Sequence, residues 1–397
     1  MNQITDFPIL DSILDTDAYK IFMQQAVFHQ YPDIDVKAEF KCRGTEDLNF
    51  LIPQLKKQIR FVGDLALTNE EFTYLASLPY FETDYLNYLK NFRYNPDLVT
   101  VSNTDNHLSI SIEGSWLDVI LWEIPILSLV CELYQRTKHP DTENMRKKAI
   151  SHLQEKLEHI DYKNNQDLNG FTVVDFGTRR RFSKQIQEDV LHYLQKNCPF
   201  FVGTSNFHYA RVMNLKPVGT QAHEWFQAHQ QIAENLGNFQ KLALNSWLKE
   251  YPDQLGIALT DCINMDAFLA DFDKSLAEQF TGVRHDSGDP LLWGEKAIKH
   301  YKSLGIDPKT KVLVFSDGLS LDKAVSIYRY FKGKTNTSYG IGTSLTCDIP
   351  GVTALNVVLK LTECKGKPVA KISDAPGKTL SQDIDFINKL KAQFTVA

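Results

Sequence analysis

A chain of 397 residues is longer than one compact core usually holds, so two domains, or one large barrel with additions, are the starting expectation. Its 43% hydrophobic and 23% charged residues are ordinary for a globular protein, and a formal net charge of −6 gives it no overall attraction for nucleic acid or anionic membrane. Any phosphate it binds must be held by local cations and backbone N–H groups.

Six cysteines, at 42, 131, 198, 262, 347 and 364, include no C-x-x-C pair, which argues against a zinc knuckle or a disulfide framework and fits a reducing compartment. Residues 1–6 carry no basic n-region and no apolar h-region, so no signal peptide is expected and the expected location is cytoplasmic. The most apolar stretch, 116–133, contains Asp118, Glu123, Pro125 and Glu132, and reads as a buried segment rather than a membrane span.

In chain order, 46–61 and 69–78 have apolar residues at helical spacing. Segments 99–102 and 108–113 alternate apolar and polar residues around Asn103-Thr104-Asp105-Asn106, a hairpin signal. These elements define an expected N-terminal α+β domain over 1–140. From 141 the texture changes. Helical stretches at 143–160, 183–195 and 290–304 alternate with short apolar runs at 171–177, 200–204, 217–219, 255–261, 282–286, 311–317 and 338–343. This alternation implies parallel β/α units. Each run ends in Gly, Thr or Asp; in an α/β barrel these are the strand ends whose loops build the active site. A doubly wound open sheet has the same texture, but the number of polar-tipped runs and the lack of a G-x-G-x-x-G turn favour an irregular α/β barrel over 141–352. Beyond 352, segments 355–363 and 369–373 flank a Gly-containing turn and read as strands of a third segment, 353–397, packing back on the N-terminal domain.

Four segments carry candidate chemistry. In Gly219-Thr220-Gln221-Ala222-His223 a short strand leads into an amphipathic helix. Thr220 is placed to act as N-cap with His223 at the third helical position, where free N–H groups and the helix dipole favour an anion and a neutral, nucleophilic imidazole. A histidine that merely begins a helix fits the same spacing. His229 lies six residues on and points elsewhere, so the two form no i,i+4 metal pair. Arg179-Arg180-Arg181 follow the run ending at Gly177 and could fork phosphate oxygens, or form a solvated basic cluster. Arg284-His285-Asp286-Ser287-Gly288-Asp289 could serve a sugar, Mg²⁺ or a developing positive charge, or be a polar turn. Ser316-Asp317-Gly318 and Gly340-Ile341-Gly342-Thr343 are glycine-rich strand ends of the kind that cradle phosphate late in a barrel, or plain tight turns. No Walker A, H-E-x-x-H or G-x-S-x-G pattern occurs, and the five tryptophans do not interleave with basic residues as a nucleic-acid platform would.

Taken together with Asp15-Thr16-Asp17-Ala18-Tyr19-Lys20 and Gly203-Thr204-Ser205-Asn206, these motifs, in this order from Asp15 to about residue 378, resemble the bacterial nicotinate phosphoribosyltransferase family. The resemblance implies a type II phosphoribosyltransferase fold, an irregular α/β barrel joined to a β-rich domain. It implies condensation of nicotinate with 5-phosphoribosyl 1-diphosphate to nicotinate mononucleotide and pyrophosphate, the first step of NAD salvage from nicotinate. ATP, with Mg²⁺, would drive the reaction through a phosphohistidine at His223. By the same matching, Phe176 and Arg284 sandwich the pyridine ring, and Tyr19 and Thr220 are ring-side contacts. Arg179 and Thr343, with Gly318 and Gly342, contact the phosphoribosyl or phosphate groups, and Asp286 lies near the ribose. Tyr19 could come from a neighbouring subunit, which would require a homodimer. Ser205 stands where a nicotinamide-using cousin carries Asp; a hydroxyl there can donate to a carboxylate, which favours nicotinate. The competing enzyme readings are a nicotinamide or a quinolinate phosphoribosyltransferase. From another class, a non-catalytic phosphosugar-binding relative would be expected to lack His223, Arg284 or Asp286, and all three are present.

Overall fold

The computed structural model describes residues 7–160, 166–374 and 383–394. The leader reading at 1–6 and the end of the resemblance near 378 lie outside them. The first described helix, Ala18–Gln30, is buried from Ala18 through Val27. It leads to strand β1, Asp35–Cys42. The expected helix over 46–61 divides into a 3₁₀ turn, Asn49–Leu51, and a helix, Ile52–Gly63, with Pro53 in its first turn. Proline is tolerated there because its missing N–H would have no partner in any case. The next helix, Asn69–Ala76, starts at a reciprocal capping box between Thr68 and Glu71. Strands β2, Val99–Thr104, and β3, His107–Ser115, form the expected hairpin. Its two turn residues, Asp105 and Asn106, have φ of 51° and 63°, the left-handed pair that a two-residue hairpin turn needs.

The barrel strands follow: β4 Val173–Asp175, β5 Phe201–Thr204, β6 Ile257–Leu259, β7 Gly282–His285, β8 Val312–Phe315 and β9 Asn336–Ile341. All their pairings are parallel, in the order β5-β4-β9-β8-β7-β6. The run 217–219 is not a strand; it attaches to β5 by one bridge, Thr204 to Pro217. Side chains nonetheless converge from all round the ring. Val174, Val218, Ile257, Arg284, Val314 and Ser338 line one interior cavity of about 50 Å³. The architecture is therefore an irregular α/β barrel, in which a non-strand segment occupies one stave. Five helices that follow strand tips open on a side-chain cap: Ser183, Asn206, Asn264, Asp289 and Ser320 each accept a first-turn N–H.

Strands β10, Val357–Cys364, and β11, Lys367–Pro368, return to the N-terminal sheet, whose order is β11-β10-β1-β3-β2. β10 pairs antiparallel with β1 along nearly its whole length. The pairing sets the end of β1 and the length of β10 opposite the barrel's strand tips, and the site lies between the two.

Candidate active site

A cavity of about 350 Å³ opens at the strand tips. Tyr19, Phe176, Arg179, Ser205, His223, Arg284, Asp286, Gly318, Gly342 and Thr343 all line it. Thr220 does not: it faces the interior cavity behind, which shares Phe176, Val218, Gly219 and Arg284 with the pocket. Its Oγ1 is buried without a protein partner, as is Nε of Arg284, so polar groups remain there for an occupant.

The helix carrying the histidine runs His223–Ile232, with Ala222 as cap residue and no side-chain cap bond. Thr220 is thus not the N-cap, and His223 occupies the first helical position instead of the third. The physical reason lies upstream. A Cβ on Gly219 would stand 2.8 Å from the Tyr19 backbone N, so the chain is pressed against the Ala18–Gln30 helix through Gly219 and turns helical only afterwards. The uncapped helix leaves first-turn N–H groups beside the pocket.

His223 Nε2 lies 2.7 Å from Asp261 Oδ1 and 3.7 Å from Asp286 Oδ2. Burial, reinforced by Lys371, outweighs both carboxylates and pulls the imidazole pKa down to about 4. The ring is therefore neutral at physiological pH, with Nε2–H donated to Asp261. Nδ1 makes no hydrogen bond among the described residues. Asp261 also accepts from Ser287 Oγ at 2.6 Å and pairs with Lys371 Nζ at 3.0 Å. Burial alone would raise its pKa, but Lys371 and His223 hold the carboxyl well below the usual range. Asp286 accepts from Ser316 Oγ at 3.0 Å; against burial and the neighbouring Asp261 carboxylate, the Arg284 guanidinium, with Lys371, holds its pKa below the ordinary carboxylate value.

On the opposite wall Glu123 gathers cations. Lys20 Nζ lies 2.6 Å from its Oε2, Lys360 Nζ 3.3 Å from its Oε1, and Tyr19 donates at 3.3 Å. Lys20 also pairs with Glu224, which accepts from Trp116 Nε1 at 2.8 Å. Six cationic residues, Arg43, Arg179, Arg180, Arg284, Lys360 and Lys371, line a pocket in a chain of net charge −6. The cation excess that phosphate requires is local.

The three consecutive arginines separate. Arg179 faces the pocket, with Nε 3.5 Å from Asp17 and its guanidinium 5.9 Å from the Tyr19 ring centroid. Arg180 lines the pocket while donating to the Val357 carbonyl at 3.0 Å. Arg181 is fully buried in a two-pronged pair with Asp15, at 2.7 and 2.9 Å, and serves the fold. Ser205 Oγ donates to Asp17 Oδ1 at 2.7 Å, so its proton is engaged by the protein's own carboxylate. Phe176 lies over Gly340, where a Cβ would come within 2.2 Å of the ring. Tyr19 lines the pocket of its own chain.

A family model described as the nicotinate phosphoribosyltransferase family matches residues 171–397, and that family's N-terminal domain model matches 14–131. The chain belongs to the nicotinate phosphoribosyltransferase family. It is 55% identical over 394 residues to nicotinate phosphoribosyltransferase of Photorhabdus laumondii, covering 98% of this chain and 97% of that one. It is 55% identical over 389 residues to that of Serratia proteamaculans, covering 98% and 96%. The crystal structure of nicotinate phosphoribosyltransferase from Vibrio cholerae matches with a TM-score of 0.91 at 40% identity, covering 100% of this chain and 96% of that one. That from Porphyromonas gingivalis matches at 0.90 and 34%, covering 98% and 100%.

Asp261, Lys371, Lys360, Glu123, Asp17 and Arg43 belong to the site of this family member but were not singled out by sequence reasoning. Two left a usable signal. Asp261 ends an apolar run, as the other strand-tip residues do, and Glu123 is a carboxylate in the most apolar stretch of the chain. Among the described residues no helix is long and apolar enough to cross a membrane.

Proposed function

We propose that this protein joins nicotinate to 5-phosphoribosyl 1-diphosphate, giving nicotinate mononucleotide and pyrophosphate, and that ATP drives the reaction by phosphorylating His223. The observation that carries the reading is a neutral, buried imidazole held by Asp261 beside Asp286, in a pocket lined by six cationic residues. Family membership supports the transferase; the ATP-coupled step rests on the geometry of His223.

In the transfer, the pyridine nitrogen lone pair forms a bond to the anomeric carbon as the bond from that carbon to pyrophosphate breaks, and the electron pair leaves with pyrophosphate. The ring nitrogen carries no proton, so no general base is required. Positive charge develops at the anomeric centre, and the ionised Asp286 is the pocket carboxylate suited to stabilise it. Phe176, just past β4, and Arg284, on β7, line both the pocket and the interior cavity behind it and are placed to enclose the pyridine ring. An Asp at 205 would set a second carboxylate beside Asp17 and repel a nicotinate carboxylate; Ser205 does not, and Arg179 supplies positive charge on the same wall.

In the phosphorylation, Asp261 fixes the tautomer that leaves Nδ1 as the nucleophile, as a hydrogen-bonded carboxylate does for any reacting imidazole. Mg²⁺ would suit the carboxylate oxygens of Asp286 and Asp317 better than the His223–Asp261–Asp286 trio, whose imidazole nitrogen carries the proton donated to Asp261. Bound there, it would neutralise the phosphate groups.

Incubation with Mg²⁺ and γ-labelled ATP should leave acid-labile label on the protein and none on His223→Ala. Product formation should favour nicotinate over nicotinamide and rise with ATP. Label retained in His223→Ala would overturn the phosphohistidine; a preference for nicotinamide would overturn the substrate.

A further inference from the structure

Lys371 sits among the groups that hold His223, yet neither step above uses it. Its Nζ lies 3.0 Å from Asp261 Oδ2 and 3.8 Å from Asp286 Oδ2, so one ammonium touches both carboxylates that face the histidine. The residue is buried, and it also lines the pocket. Its backbone is pinned. Ala370 exchanges hydrogen bonds with the Gln230 side chain at 2.7 and 2.9 Å, Ile372 donates to the Cys262 carbonyl at 2.9 Å, and Asp374 N donates to Ser287 Oγ at 3.2 Å. Ser373, two residues on, has φ of 77°, a left-handed conformation disfavoured for a side chain other than Gly or Asn. The chain is thus bent to keep this segment against the two carboxylates, with backbone hydrogen bonds on both sides of the lysine.

The charge inventory shows what that side chain is for. Before reaction the cluster holds a neutral imidazole, two carboxylates and one ammonium. Phosphorylation at Nδ1 with the Nε2 proton retained puts close to two negative charges on the phosphoryl oxygens and one positive charge on the ring, a net gain of about one negative charge beside Asp261 and Asp286. The ring's positive charge faces Asp261 through Nε2–H, but the phosphoryl oxygens need a cation of their own, or they form close to the ionised Asp286 with none to meet them.

We propose that Lys371 is the cation that receives the phosphoryl group on His223, transferring its Nζ from Asp261 and Asp286 to the phosphoryl oxygens. This rests on the phosphohistidine reading. The His223 Nδ1 lone pair forms the N–P bond, the bond from the γ phosphorus to the β–γ bridging oxygen breaks, and its electron pair leaves with ADP. The Nε2 proton stays on the bond to Asp261, so no proton is transferred and the ring becomes an imidazolium held by that carboxylate. When Lys371 leaves Asp286, that carboxylate loses one of the cations that hold it, and phosphorylation is thereby linked to the group that serves the ribose.

The test is the time course of acid-labile labelling from γ-labelled ATP with Mg²⁺ in the parent, Lys371→Met and Lys371→Arg, each first shown to be folded by circular dichroism. Met keeps the aliphatic stem without the charge; Arg keeps the charge. In Lys371→Met the maximal labelling rate should fall by about tenfold or more, with the half-saturating ATP concentration changed less than about threefold, because the ammonium acts on the phosphoryl group as it transfers. Lys371→Arg should recover to within about threefold of the parent. Labelling of Lys371→Met within about twofold of the parent overturns the proposal, as does a loss that Arg fails to rescue. A parent that takes no label overturns the phosphohistidine reading itself, a result distinct from either.

Discussion

The helix that presents His223 is held at its far end by a second histidine, and that histidine makes the fold sensitive to acid. His229 is fully buried. Its Nδ1 lies 2.7 Å from the Trp225 carbonyl and its Nε2 3.1 Å from the Tyr31 hydroxyl, which in turn contacts Ser246 Oγ at 2.7 Å. The ring is neutral, with Nδ1–H donating and Nε2 accepting. Burial, only partly offset by the Trp225 carbonyl, pulls its pKa from 6.5 down to about 4. A base whose native pKa is depressed contributes its full stability above the unfolded value and loses it as pH falls toward the native one. At pH 5 the unfolded chain holds nearly a whole proton at this position and the native ring about a tenth of one. The unfolding free energy should therefore drop by about 2 kcal/mol between pH 8 and pH 5 from this residue alone. Urea unfolding of the parent and of His229→Gln at pH 8, 7, 6 and 5 isolates the contribution. The variant is expected to be less stable at pH 8, where it loses packing and a hydrogen bond, and to close about 2 kcal/mol of that gap by pH 5. A gap between the two proteins that stays constant within about 0.5 kcal/mol from pH 8 to 5 would refute the linkage and the neutral-ring assignment with it.

Two further outcomes follow from the packing around the pocket. Arg181→Met leaves Asp15 buried at the base of the site without its cation, and should cost about 3–5 kcal/mol in urea unfolding; a loss under about 1 kcal/mol would mean the pair is not the anchor its geometry indicates. Gly340→Ala places a Cβ 2.2 Å from the Phe176 ring, which must swing away from the pocket. The KM for nicotinate should rise by about tenfold while thermal unfolding moves by only a few degrees, and an unchanged KM would remove Phe176 from the ring-binding role.

Much of this protein is legible in its sequence. The run-and-helix alternation after 141, the polar strand tips and the Asp105–Asn106 turn are local patterns set by side-chain period and turn chemistry, and the chain follows them. Ten of the eleven proposed site residues line one pocket: nine come from the β/α segments, whose strand ends parallel units bring to one face, and Tyr19 comes from the Ala18–Gln30 helix. What the sequence could not decide were the partnerships between distant segments. Arg179, Arg180 and Arg181 are identical in type and adjacent in sequence; which of them meets substrate depends on Asp15, 166 residues from Arg181, which claims the last of the three. Thr220 sits at a cap's spacing, but contact with the Ala18–Gln30 helix through Gly219 delays the helix to His223. The neutral state of that histidine was expected from the helix dipole. In the folded protein its main cause is burial, with Lys371 second, and the lysine arrives from a segment beyond β11 that sequence spacing gives no reason to place beside His223. Periodicity sets which residues face inward along a helix or strand; only the packing of one element on another determines what each inward residue meets.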